Sequence, residues 1–291
     1  MRTSILKEKD KKDKVNMNTL QHSLITLLET KNMDDFKAII PYVLLPDAIR
    51  CYTKERKWSH FEMDPKTGEP NVFKYPENIK DWDKIDMKAQ VMNDVQFKPA
   101  VIGEETSIAA FERSNQHLSA LMFSGIYEHL RQDVSFDKWI REEYDCTNKY
   151  EDRFIVYGEE IDGKEFRKVI GKMEMEAVAC LSLICHEKLG ITITNDWFRE
   201  NVFEPMEKVY PKSMTINTCK YMVIPEEMEQ KIVNGQWEQL LEENKYLTME
   251  NYMNYHDMVI QQIDNIEMEK EIFSNDEMQK VNDDIIEFVN K

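Results

Sequence analysis

Hydrophobic positions recur along most of the chain at the three- and four-residue steps of an α-helix. In "NTLQHSLITLLET", Leu20, Leu24, Leu27 and Leu28 follow an Asn that can cap the first turn. "MDDFKAIIPYVLL" predicts a second helix with acids in its first turn, where the helix dipole favours them. Pro41 is placed to kink it, and Pro46 biases Leu45 away from helical geometry. The polar stretch 62–103, with Pro65, Gly68, Pro70, Pro76, Pro99 and Gly103, reads as a long irregular excursion. A long helix is predicted from about Asn115 to Glu143. The alternation of Ile155 and Tyr157 before Asp162-Gly163 predicts a short β-hairpin. "GKMEMEAVACLSLICHEKLG" reads as a nearly all-apolar helix ending at Gly190, followed by a helix capped by Asn195. Met249, Tyr252, His256, Val259, Ile263 and Ile266 mark one more amphipathic helix. The pattern predicts a mainly α fold.

Composition sharpens this picture. Eight glycines and nine prolines in 291 residues leave few turns, so the elements are long. The formal net charge is −17, which disfavours a broad nucleic-acid-binding surface, since phosphate contacts need clustered Lys and Arg. Residues 213–291 hold 17 acids against six lysines and so supply −11 of that charge. Residues 1–15 carry six basic and three acidic residues and little that packs. The chain therefore divides into an arm (1–15), a helical core (16–212) and an acidic helical region (213–291). The five cysteines form no Cys-x-x-Cys pair and read as reduced thiols. With a charged N-terminus and no apolar run of about 20 residues, the expected location is cytoplasmic, without a transmembrane segment.

Candidate chemistry lies in the histidines and the acids near them. On one helix His129 and Asp133 are four residues apart, about 40° around the axis, and project from one face; Asp137 is a turn further on. Such a pair offers a divalent ion one imidazole and one carboxylate. Two ligands hold an ion poorly, so other segments must add to them. His60 in "SHFE", His186 within an apolar helix, and Asp47 at the end of "YVLLPD" are the candidates. Each has a plainer reading: a hydrogen-bonded pair on a helix, a satisfied core histidine, a helix cap. His22 and His117, near helix starts, are set aside, and His256 reads as packing. Three imidazoles and two carboxylates make an N/O set that suits zinc, with manganese or iron as alternatives. Glu62 is placed to orient or deprotonate a water, and Arg131 or Arg50 to neutralise phosphate charge. No Gly-x-Ser-x-Gly, Walker or Gly-x-Gly-x-x-Gly motif is present.

"LLPDAIR", "WSHFE" and "YEHLRQDVSFDKW" together resemble helical metallohydrolases of the zinc-dependent phospholipase C type, over residues 38 to about 140. The resemblance implies that Asp47, His60, His129 and Asp133 are ligands, with His186 as a later one. The function expected is an intracellular metal-dependent hydrolase of a phosphoester, with a phosphorylated small molecule or lipid-like substrate. The alternative is a non-catalytic acidic protein, of mobile-element or phage type, that engages a basic protein partner through residues 213–291.

Overall fold

From Val15 to Leu28 the chain carries no charged residue, and its helical part, from Thr19 on, is buried. A computed structural model describes residues 19–53, 56–62, 70–80, 106–143, 153–156, 159–220, 222–248, 251–257, 259 and 261. The arm expected over residues 1–15, and Met249, Ile263 and Ile266 of the C-terminal stripe, lie outside these. The elements in order are α1 (Thr19–Thr30), α2 (Met33–Val43), α3 (Leu45–Thr53), α4 (Arg56–Ser59), α5 (Thr106–Ser114) and α6 (Ala120–Glu143). Strands β1 (Arg153–Val156) and β2 (Glu159–Asp162) pair antiparallel, Val156 opposite Glu159. Then come α7 (Gly163–Leu189), α8 (Asn195–Phe198), a π-helical turn over Arg199–Phe203, α9 (Glu204–Val209), α10 (Lys212–Cys219), α11 (Glu226–Val233) and α12 (Trp237–Glu242). Residues 251–257 are also helical. The described part is mainly helical, and none of its helices is long and apolar enough to cross a membrane.

Every residue of α1 from Thr19 to Glu29 is buried. It lies between α7 and α2, and α2 in turn packs along α6. That last crossing is close because Gly125 of α6 meets the backbone of α2 at Tyr42 and Val43. The α2 start is capped by Asn32, whose side chain accepts from the backbone N–H of Asp34 at 2.8 Å. Pro41 lies inside α2, and the Tyr210 hydroxyl donates to its carbonyl. Pro46 does not displace Leu45 from helical geometry. Leu45 opens α3 and Pro46 sits in its first turn, where a missing N–H costs nothing.

Other boundaries also depart from the pattern. Gly163 opens α7 rather than closing a hairpin turn. The link between the strands falls at 157–158, outside the described residues. The cap of α8 is Thr194, which accepts from Trp197 N–H at 3.0 Å, one residue before Asn195. Gly190, at φ +68°, ends α7, and its N–H donates to the carbonyl of His186. The irregular excursion is anchored where it is described. Asn115, fully buried, accepts from Tyr75 N–H and donates to the Phe73 carbonyl at 2.9 Å. The rings of Phe73 and Tyr75 join Phe61 and Phe111 in one aromatic cluster.

Residues after 212 pack on the same core. The α10 helix lies on α3, and α11 and α12 lie on α7. Glu176 of α7 accepts from the backbone N–H groups of Lys245, Tyr246 and Leu247, and Gln21 of α1 donates to the Tyr255 hydroxyl at 2.9 Å.

Candidate metal centre

Asp47 stands in the first turn of α3, His60 just after α4, and His129 and Asp133 one turn apart on α6. The reversal after α4 aims His60 inward. Phe61 takes a left-handed backbone (φ +53°), which a non-glycine residue adopts at a cost of about 1 kcal/mol. Its ring is fully buried in the aromatic cluster, which offsets that cost. The Tyr75 hydroxyl donates to the Ser59 carbonyl at 2.6 Å and fixes the turn from the other side.

These four residues converge, and α1 adds His22. Ligand atoms of Asp47, His60 and His129 lie within 4.8 Å of one another, and so do those of His22, His129 and Asp133. His129 belongs to both groups. Its Nε2 is 3.0 Å from His60 Nε2 and 3.7 Å from Asp133 Oδ2. His60 Nε2 is 3.5 Å from Asp47 Oδ1, and His22 Nε2 is 3.4 Å from Asp133 Oδ1. The His22 and His129 rings stack at 4.0 Å between centroids. All five side chains are shielded: His22 and His129 are 0 % exposed, Asp47 2 %, His60 4 % and Asp133 8 %.

Several atoms of the cluster have no hydrogen-bond partner. Both Asp47 carboxylate oxygens, Asp133 Oδ1 and His22 Nε2 are buried and unsatisfied. Native proteins leave few such atoms, because each costs about 1–3 kcal/mol, more when charged. A cation held by either group would satisfy the unpaired atoms of that group, so the donor sets fit divalent ions of the zinc class. His60 is held for that role: its Nδ1 is 2.9 Å from Ser59 Oγ, whose hydroxyl lies 3.4 Å from the Arg56 carbonyl. With the hydroxyl proton given to that carbonyl, Ser59 accepts from Nδ1–H and leaves Nε2 with a free lone pair.

The protonation states of His60, His129 and both carboxylates agree with that reading. Burial, and then the charge of His22, hold His129 well below the ordinary imidazole range. Burial and the nearby Arg56 lower His60. Burial would raise the two carboxyls, but the adjacent His60 and His129 imidazoles and Arg50 depress Asp47, and Arg56 and His22 depress Asp133. His22 goes the other way. Burial pulls it down, yet Asp133, Asp47 and Gln132 outweigh burial and leave it raised. Neutral imidazoles beside ionised carboxylates are what metal ligation requires.

Around the cluster, Arg56 pairs with Asp133 and reaches Glu62 at 3.5 Å, and Arg50 lies 3.6 Å from Asp47. Glu62 is half-buried and faces this basic edge. Arg131 stands apart. Its guanidinium is bound by Glu29 and Glu128, and those two carboxylates, against the effect of burial, raise its pKa. It is therefore engaged by its own glutamates rather than by the cluster. His186 also lies elsewhere: it is exposed in the last turn of α7, its ring 5.4 Å from that of Trp237. The apolar run that seemed to bury it ends one residue earlier, at Cys185. His117 donates its Nε2–H to the Tyr75 carbonyl at 2.9 Å, and the Asp137 side chain lies outside the described residues. Glu174 of α7, unmarked in the sequence reading, is 2 % exposed with its Oε2 unsatisfied. Burial raises its pKa well above the ordinary value, with Arg50 and Arg56 acting against the rise.

His22 was missed because it neighbours no acid and sits near a helix start. The absence of charge from Val15 to Leu28 was the available signal, since a histidine in so apolar a helix has to be buried. Comparisons with protein-family models, curated proteins and solved structures find no match.

Proposed function

We propose that the chain is a metal-dependent hydrolase of a phosphoester. The observation that supports this reading most is the convergence of three imidazoles and two carboxylates from α1, α3, α6 and the turn after α4, with both Asp47 oxygens, Asp133 Oδ1 and His22 Nε2 buried and unsatisfied. His22, Asp47, His60, His129 and Asp133 would hold the ion, with zinc as first choice and manganese or iron as alternatives. A divalent ion there supplies a Lewis-acid charge that polarises a phosphoryl oxygen and lowers the pKa of a water toward neutrality. Arg50 and Arg56 form the cationic edge that a phosphate would meet, the role that Arg131 cannot fill. Glu62, at the exposed end of that edge, would orient the water or take its proton. Substrates of this chemistry include a phosphorylated small molecule or a lipid-like phosphodiester.

A structural ion is the second reading, and it is favoured by depth: no ligand is more than 8 % exposed. Elemental analysis of the purified chain and of a His60→Ala/His129→Ala variant tests both. The expected result is about one or two equivalents of metal in wild type, none in the variant, and metal-dependent hydrolysis of bis(p-nitrophenyl) phosphate. Metal without turnover supports the structural ion, and no metal in wild type overturns both.

A further inference from the structure

His22 is the ligand whose setting the sequence did not show, and its outer nitrogen leads to a hydrogen-bond network that the proposed chemistry leaves unexplained. His22 Nδ1 is 2.7 Å from Gln132 Oε1. On its other side the Gln132 amide nitrogen donates to Thr26 Oγ1 at 3.1 Å, to Glu128 Oε1 at 3.1 Å and to Glu29 Oε2 at 3.3 Å. Arg131 holds both of those glutamates. The amide therefore has one permitted orientation. Turned over, its carbonyl would face the Glu128 carboxylate, whose pKa Arg131 lowers against the effect of burial, and its NH2 would point at the imidazole. With the carbonyl toward His22, Nδ1 must carry the ring proton, and the lone pair is left on Nε2. That atom is the unsatisfied one, 3.4 Å from the unsatisfied Asp133 Oδ1.

We propose that Gln132 is the positioning residue for His22: its carbonyl, oriented by Glu29, Glu128 and Arg131, fixes the Nδ1–H tautomer and presents Nε2 as a metal ligand. This rests on the metal reading above, and it assigns the buried Arg131 cluster a role in metal affinity rather than in substrate contact. Outer partners of this kind typically change metal affinity by about 10- to 100-fold. Gln132 and Asp133 are sequence neighbours, so one helical turn of α6 supplies a ligand and the group that orients another ligand on α1.

The test uses the full chain with and without zinc. In chelator-treated protein at pH 9, long-range 1H–15N NMR should show His22 as the Nδ1–H tautomer. In Gln132→Met the population should move toward Nε2–H, which donates to Asp133. Competition titration with a chromogenic chelator should show zinc binding weakened about 10- to 100-fold in Gln132→Met. The exchange variant Glu29→Gln/Gln132→Glu keeps the charge count and the acceptor toward Nδ1, and should restore affinity to within a few-fold. In a His22→Ala background, Gln132→Met should have no additional effect. A wild-type His22 in the Nε2–H form, or a Gln132→Met penalty that persists without His22, overturns the proposal. If Gln132→Met fails to fold, the tautomer in wild type and the exchange variant decide it. Zinc bound normally by Gln132→Met defeats this inference alone, whereas no zinc in wild type defeats the metal reading.

Discussion

Gly125→Ala tests the close helix crossing beneath the site. A Cβ at this position would lie 2.5 Å from Tyr42 Cβ and 2.9 Å from both the Tyr42 carbonyl carbon and Val43 N. Ordinary carbon contacts are about 3.5–4.0 Å, so α2 has to retreat from α6 by about 1 Å, and backbone cannot rotate away as a side-chain tip would. Overpacking of this kind costs about 1–3 kcal/mol, while replacing a mid-helix Gly returns about 1 kcal/mol. With backbone as the obstacle, the net loss should be about 1–2 kcal/mol, a fall in Tm of about 2–8 °C. The same retreat separates α3, which follows directly from α2 and carries Asp47, from the α6 face that carries His129 and Asp133. Zinc affinity should therefore fall as well. Urea unfolding of metal-free protein and a chelator competition titration measure the two effects. Gly190→Ala is the control: nothing lies within 4 Å of its Cβ, but φ is +68°. It should cost about 1–2 kcal/mol from backbone strain and leave zinc binding unchanged. A Gly125→Ala protein that is more stable than wild type, or that binds zinc equally well, refutes the crossing described.

Further expectations concern groups outside the ligand set. Glu174 is buried with its pKa raised above the ordinary 4.5, so metal-free protein should lose stability as pH rises from 4.5 to the folded value. The native state keeps a proton there that the unfolded chain has released, and the slope approaches about 1.4 kcal/mol per pH unit. Glu174→Gln should flatten that part of the urea-measured profile and stabilise the protein at pH 8 but not at pH 4. An unchanged profile would count against the burial of an unpaired carboxyl. His186→Ala should leave metal content and zinc affinity at wild-type values, since its ring lies against Trp237 at the surface; loss of metal on elemental analysis would contradict this.

Much of the helical order was legible because hydrophobic periodicity records which face of a helix is buried: α1 buries its own against α7 and α2, and α6 packs along α2. Proline was less informative. Pro46 was expected to bias Leu45 away from helical geometry, but in a first helical turn it lacks only an N–H that has no partner anyway, so Leu45 opens α3. In the candidate site, Asp47, His60, His129 and Asp133 stood out because an acid or imidazole interrupts, or is spaced one turn along, an apolar segment. His186 met the same criterion but lies in the last turn of its helix, where the buried face gives way to solvent. Arg131 looked available because a sequence shows its charge but not its neighbours Glu29, 102 positions away, and Glu128. Gln132 carries no charge and no periodic signal; its place follows only from the packing of α1 on α6.

Asn71 donates its backbone N–H to the Glu62 carbonyl at 3.0 Å. The chain thus leaves and returns at a single fastened point two residues beyond His60. Length added between those two positions is decoupled from the imidazole, and doubling such a loop costs only about 0.6 kcal/mol in closure entropy. Insertions between Glu62 and Asn71 should therefore leave Asp47, His60, His129 and Asp133 where they stand.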